Sequence, residues 1–168
     1  MRWCRFQAGG KTSYGIVEDD DVIQVSGSPF GRHRRTGTRQ PLSSVKLLVP
    51  VVPVTFYAAG INYMDHILGM AAITGRQGTP PASANIGYRA NNALIAHEEP
   101  IIVPADASER IQYEGELAVV IGKQAKHISE DEVWDYILGY TIGNDFSERT
   151  WQAADSTMWR AKNADTFK

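Results

Sequence analysis

The apolar positions of this chain fall into short blocks that read as strands, with helical character confined to residues 64–72 and a short segment starting near Glu130. Near the N-terminus, residues 3–6, 13–17 and 22–25 are strand candidates, and the acidic run Glu18-Asp19-Asp20-Asp21 predicts a hairpin turn between the last two. A basic, glycine-punctuated stretch at 31–39 reads as a solvated surface loop, because no aromatic side chains are interleaved with its arginines. The most apolar stretch, 47–61, is broken by Pro50 and Pro53 and is too short for a membrane helix. Within it, residues 51–59 predict a strand that runs into the turn Gly60-Ile61-Asn62-Tyr63. Residues 74–92 carry Gly75, Gly78, Pro80, Pro81 and Gly87, which predicts a long loop and a candidate lid over a binding site. Ser129 and Glu132 have the spacing of a capping box, hence the short helix near Glu130. The chain divides near residue 50 into a small N-terminal β domain, 1–50, and a second domain, 51–168.

The strongest chemical signal is Tyr113-Glu114-Gly115-Glu116, leading into the apolar run Leu117-Ala118-Val119-Val120-Ile121, which reads as a buried strand. Alternate side chains of an extended chain share a face, so Glu114 and Glu116 point the same way, roughly 6.6 Å apart along the backbone. Two such acids raise each other's pKa unless something positive lies between them, so they ask for a cation, a shared proton or open water. A divalent cation is the sharpest of the three. On spacing alone, two polar positions on a half-wet strand are the simpler reading. Asp145 closes the strand-like segment before it and adds a third carboxylate, making an all-oxygen site suited to Mg²⁺ or Mn²⁺, with Ca²⁺ a further option. Taken by itself, Asp145 equally suits a turn after Gly143.

Further motifs stand in order around these acids. They are Gly60-Ile61-Asn62-Tyr63 with His66, Glu114-Gly115-Glu116, Asn144-Asp145-Phe146-Ser147-Glu148-Arg149, and Trp159-Arg160-Ala161-Lys162 with Asp165-Thr166-Phe167. In order and spacing, from about residue 47 to the end, they resemble the fumarylacetoacetate hydrolase (FAH) family. The resemblance is to the kind that includes 2-hydroxyhepta-2,4-diene-1,7-dioate isomerase and 5-oxopent-3-ene-1,2,5-tricarboxylate decarboxylase. Several motifs in one order are far more specific than a lone pair of glutamates. The resemblance implies a mixed β fold with minor α content, an FAH-type β-roll carrying the small N-terminal β domain. It implies a divalent metal held by Glu114, Glu116 and Asp145, chemistry on 2-oxo or β-diketo acids, and a homodimer. It further implies catalytic roles for His66 and Lys162, and substrate contacts from Arg89, Arg149 and Gln152. Lys162 would offer a point charge to a substrate carboxylate or enolate. Arg149 reads equally as a structural ion-pair partner of Glu148 or Asp155. A single histidine on an amphipathic helix is more often structural than catalytic, and His66 is expected on a mobile lid, outside direct coordination distance of the metal.

The chain also departs from the family pattern. Hydrolytic and decarboxylating members often place a glutamate three residues after this histidine, a pair able to deprotonate water. Here that position is Gly69, so water attack loses support relative to decarboxylation or isomerisation, which share an enolate. Arg89 stands where relatives commonly have lysine and keeps a charge able to grip a carboxylate at two points. The family continues for roughly a hundred residues past the Asp165-Thr166-Phe167 motif. The chain is therefore expected to be a fragment, or a short relative whose missing strands come from a partner. If it is a fragment, residues 163–167 are expected to form a strand with an open edge.

Composition narrows the setting. A chain of 168 residues with 43% hydrophobic content can bury a core, and a formal net charge of −2 gives no general pull toward nucleic acid or an anionic membrane. The single cysteine and the absence of an apolar signal core at the N-terminus predict a reducing, cytoplasmic setting. The expected function is a divalent-metal-dependent enzyme of aromatic-compound catabolism that hydrolyses, decarboxylates or isomerises small oxo acids. The alternative is a catalytically impaired or truncated relative that serves as a binding or assembly module.

Overall fold

The computed structural model describes residues 1–75 and 77–168. Packing groups them into two units, Met1–Val52 with Asn92–Lys168, and Pro53–Asn91.

In the first unit, β1 (Arg2–Ala8), β2 (Lys11–Glu18), β3 (Asp21–Gly27), β4 (His33–Pro41) and β5 (Lys46–Leu48) form an antiparallel sheet in the order β4-β3-β2-β1-β5. Asp19 and Asp20 make the two-residue turn between β2 and β3, with Asp19 at φ 51°, a conformation aspartate tolerates better than most residues. One face of the sheet buries Cys4, Phe6 and Val22, with Val17, Leu42 and Leu47 packed around them. Burial pushes the Cys4 thiol up to about 11, against a smaller opposing effect of a hydrogen bond with the Gly15 backbone, so the thiol is unreactive. The basic stretch 31–39 is not a loop, as its composition suggests, but largely strand β4. It is pinned to its neighbours by Arg39 on Asp21 of β3 at 2.6 Å and by Arg35 on Glu18, at the end of β2, at 2.5 Å. Gly37, at φ 86°, lies where the register with β3 slips, and the arginines keep this exposed edge from recruiting another strand.

The second unit contains β6 (Phe56–Gly60), α1 (Met64–Thr74) and β7 (Asn85–Arg89). Pro53 lies in the stretch read as the start of a strand, just after Pro50, and the strand begins only at Phe56. Helix α1 ends where Gly75, at φ 68°, returns its N–H to Ala71 O at 2.9 Å. Part of the expected 74–92 loop is instead β7, paired antiparallel with β6 from Asn85 opposite Gly60 to Arg89 opposite Phe56. The Tyr57 and Tyr88 rings lie 5.1 Å apart across this pair, a cross-strand contact that outweighs the local glycine content. The lid expectation includes residue 76, which lies outside the described residues.

Back in the first unit, β8 (Ile111–Gln112) pairs with β11 (Ser147–Glu148), and β9 (Gly115–Ile121) pairs with β10 (Ile137–Asn144). The capping box forms: Glu132 Oε2 accepts from Ser129 N and Ser129 Oγ, both at 2.8 Å, at the start of a 3₁₀ helix over Glu130–Asp135. The apolar run in β9 is half-buried rather than buried. Leu117, Val119 and Ile121 share an exposed face with Tyr140 and Ile142, while Glu116, Ala118 and Val120 turn to the other side. Two short helices follow, α2 (Arg149–Ala154) and α3 (Trp159–Asn163). The strand expected at 163–167 is absent because residue 163 closes α3 and Thr166 takes φ 70°, outside the extended region. Phe167 is fully buried there, its ring 5.6 Å from that of Phe146. Among the described residues no helix is long and apolar enough to cross a membrane.

Gly15 tests the N-terminal core. A Cβ at this position would lie 2.4 Å from Val22 Cγ1 and 2.9 Å from Phe6 Cε1, a clash the stiff valine cannot easily relieve. Gly15→Ala is expected to cost about 1–3 kcal/mol by urea denaturation. Val22→Ala in the Gly15→Ala background should recover part of that loss, and a strictly additive double mutant would contradict the packing assigned here.

Candidate metal centre

The three acids come together at a break in an antiparallel ladder. Strand β9 pairs with β10 up to Gly115 opposite Asn144, and β8 pairs with β11 from Gln112 opposite Ser147. Between them, Tyr113-Glu114 on one side faces Asp145-Phe146 on the other, outside either ladder. The gap is bridged by Asp145 N donating to Glu114 O at 2.9 Å and Glu114 N donating to Asn144 Oδ1 at 3.0 Å. Facing residues of an antiparallel pair point to the same side, and Glu116 sits opposite Gly143, whose missing side chain leaves room. One carboxylate oxygen from each of Glu114, Glu116 and Asp145 therefore lies within 4.8 Å of the others. Asp145 is buried and both glutamates are half-buried.

Such a cluster is unfavourable without positive charge, and cationic side chains supply it. Lys162, on α3, donates to Glu114 Oε2 at 2.9 Å, Asp145 Oδ2 at 2.8 Å and Ser147 Oγ at 2.7 Å, with its side chain only 6% exposed. Arg149 Nη2 lies 2.6 Å from Glu114 Oε1, and Lys168 Nζ pairs with the other oxygen of Asp145. Burial alone would raise the Glu114 carboxyl, but Lys162 and then Arg149 outweigh both burial and the nearby Asp145 charge, holding it below its ordinary 4.5.

The arginine has further anchors. Its Nε donates to Gln112 Oε1 at 2.8 Å and its Nη1 to Gln152 Oε1 at 2.6 Å, so Gln152 meets Arg149 one turn along α2. Its carboxylate partner is thus Glu114, not the Glu148 or Asp155 that neighbour it in sequence. Glu148 is fully buried and caps α2, accepting from Trp151 N at 2.5 Å and from Ser108 Oγ. Burial would raise its carboxyl, yet those bonds and the N–H groups of Thr150 and Ser108 bring it below the usual range.

Glu114, Glu116, Asp145, Lys162, Arg149 and Gln152 thus share the first unit. His66, exposed on α1, and Arg89, half-buried at the end of β7, belong to the second unit. Gly69 has open space where a side chain would project. Sequence reading passed over Ser147, Gln112 and Lys168. A signal existed for Ser147, which follows Asp145 by two residues and so shares its side of an extended chain.

Because the Glu114 carboxyl sits below its unfolded value, its ion pairs add stability above about pH 4.5, and that contribution disappears as the pH falls through the folded value. Glu114→Gln should therefore be about 1–2 kcal/mol less stable than the parent at pH 7, the gap closing toward pH 3. Urea denaturation at both pH values checks this. A gap independent of pH would mean the ion pairs carry no net stability.

Comparison with known proteins places this arrangement in a family. Residues 55–168 match the model of the fumarylacetoacetate (FAA) hydrolase C-terminal domain, and residues 1–50 match the Rv2993c-like N-terminal domain. The chain is 42% identical over 144 residues to protein Rv2993c of Mycobacterium tuberculosis, covering 86% of this chain and 52% of that protein. It is 34% identical over 152 residues to the mitochondrial oxaloacetate tautomerase fahd2 of Xenopus laevis, covering 88% of this chain and 44% of the relative. The crystal structure of a 5-carboxymethyl-2-hydroxymuconate delta-isomerase from Mycobacterium smegmatis superimposes with a TM-score of 0.86 at 35% identity, covering 99% of this chain and 63% of that one. The chain spans about half the length of these curated relatives. With a family model matching most of its residues and the FAH fold reproduced along 99% of its length, the chain belongs to the fumarylacetoacetate hydrolase family.

Proposed function

We propose that this chain carries the divalent-metal site of an enzyme that interconverts small 2-oxo or β-diketo acids, with keto–enol or double-bond isomerisation as its chemistry. The observation that carries the reading is the convergence of Glu114, Glu116 and Asp145 within 4.8 Å, with the buried Lys162 bonded to Glu114 and Asp145. Three carboxylate oxygens form a hard, anionic donor set that fits Mg²⁺ or Mn²⁺ and suits neither a thiolate nor an imidazole metal. Bound there, such an ion would supply Lewis acidity toward a substrate carbonyl and carboxylate.

The protein's own groups divide the remaining work. Glu114 and Asp145 are held in place by Lys162, and Glu114 also by Arg149, so the acids are oriented before any ligand arrives. Arg149 and Gln152 form a polar pair beside Glu114, suited to orienting a substrate carboxylate. His66 is assigned a proton-transfer role and Arg89 a carboxylate-gripping role. With Gly69 offering no acid to His66, isomerisation is favoured over water attack. Relatives at 34% and 32% identity carry the name oxaloacetate tautomerase, and structural neighbours include a 5-carboxymethyl-2-hydroxymuconate delta-isomerase and a 2-hydroxyhepta-2,4-diene-1,7-dioate isomerase, which supports the same preference. A homodimer in the cytoplasm, acting in the breakdown of aromatic compounds and with residues 1–50 as an accessory domain, completes the proposal.

The test is oxaloacetate keto–enol interconversion, followed by enol absorbance with and without Mg²⁺. The parent chain should accelerate it only with the metal, lose the effect with a chelator, and lose about a hundredfold in Glu116→Ala. The metal-free melting temperature of Glu116→Ala should stay level or rise, since one repelling charge is gone. Acceleration that survives chelation, or a parent chain with no acceleration, would overturn the reading.

A further inference from the structure

We propose that Ser147 is a positioning residue of the carboxylate centre, acting through Lys162; this rests on reading that centre as a divalent-cation site. An ammonium group has three N–H donors. Lys162 directs them at Glu114 Oε2, Asp145 Oδ2 and Ser147 Oγ, and the serine contact, at 2.7 Å, is the shortest of the three. Ser147 is fully buried, and its own Oγ lies within donating distance of Asp145 O at 2.9 Å and Glu114 Oε1 at 3.2 Å. One oxygen atom thus links the lysine to both segments that carry the acids.

The consequence is geometric. A serine two residues after Asp145 can satisfy its donor locally on the Asp145 carbonyl, and the lysine gives its lone pair a partner in this buried position. In return the hydroxyl fixes the third direction of the ammonium, so the other two N–H groups meet Glu114 and Asp145 along fixed lines. The orientation of both carboxylates, and with it the geometry offered to a cation, is then set by the lysine. Without the hydroxyl, a buried N–H of Lys162 loses its acceptor, and the ammonium can tilt and draw one acid away from the other two. In this arrangement Lys162 reaches a substrate only by giving up one of these bonds, so its first task is to orient the ligands.

Mn²⁺ alone is the probe, its affinity read by electron paramagnetic resonance for the parent chain, Ser147→Ala, Ser147→Thr and Ser147→Val. Threonine and valine have the same shape and differ in the hydroxyl, which separates hydrogen bonding from volume. Ser147→Ala should bind Mn²⁺ about tenfold more weakly than the parent, and Ser147→Val about tenfold more weakly than Ser147→Thr, at matched melting temperatures in chelator. Equal affinity of parent and Ser147→Ala overturns the proposal, as does equal affinity of folded Thr and Val variants. If the added methyl prevents Thr and Val from folding, the parent and Ser147→Ala comparison decides alone. A parent chain that binds no Mn²⁺ overturns the cation-site reading itself, which is a different failure.

Discussion

Mutual repulsion of three carboxylates gathered at one point is the constraint on which the rest of this site depends. Glu114, Glu116 and Asp145 approach within 4.8 Å, and Lys162, Arg149 and Lys168 place positive charge against Glu114 and Asp145. Breaking a buried pair by removing one partner is far more damaging than never having built it, because the remaining charge stays desolvated. The cations therefore tie α2, α3 and the residues after α3 to the strand ends bearing the acids. Much of the packing follows from that need: Phe167 seats against Phe146, Glu148 caps α2 and thereby sets Arg149, and Ser147 stands under Lys162.

The backbone meets the constraint by interrupting a β ladder. A continuous antiparallel pair would place Glu114 and Asp145 in regular cross-strand positions, with every amide committed to the ladder. Dividing it into β8 with β11 and β9 with β10 frees two residues on each side, and their backbone groups bond across the gap instead. Gly143, opposite Glu116 and beside the break, adds no side chain where the acids converge.

Much of this was legible in the sequence, for reasons that differ from residue to residue. The period of two placed Glu114 and Glu116 on one face, the end of an apolar segment marked Asp145, and the order of motifs pointed to the family. The hairpin at Asp19-Asp20 and the capping box at Ser129 were equally readable, since both depend on neighbours in the chain. What failed depended on partners distant in sequence. Strand β4 looked like a basic loop because its strand character comes from pairing with β3 and from Glu18 and Asp21. Strand β7 was hidden by glycine and proline, and the 163–167 strand was expected where Thr166 takes a left-handed turn. Arg149 illustrates the same limit: the acids nearest in sequence were weighed, while its partner lies 35 positions earlier, at Glu114.

The central claim is that Glu114, Glu116 and Asp145 together hold a divalent cation. Anomalous scattering from crystals soaked in Mn²⁺ tests it most directly, since it locates the ion without reference to activity. The account predicts one strong peak within about 2.5 Å of an oxygen from each of the three carboxylates, with Lys162 still in contact with Glu114 and Asp145 behind it. A peak ligated by fewer than all three, or none at saturating Mn²⁺, would contradict it and leave the cluster as an ion-pair network serving the fold alone.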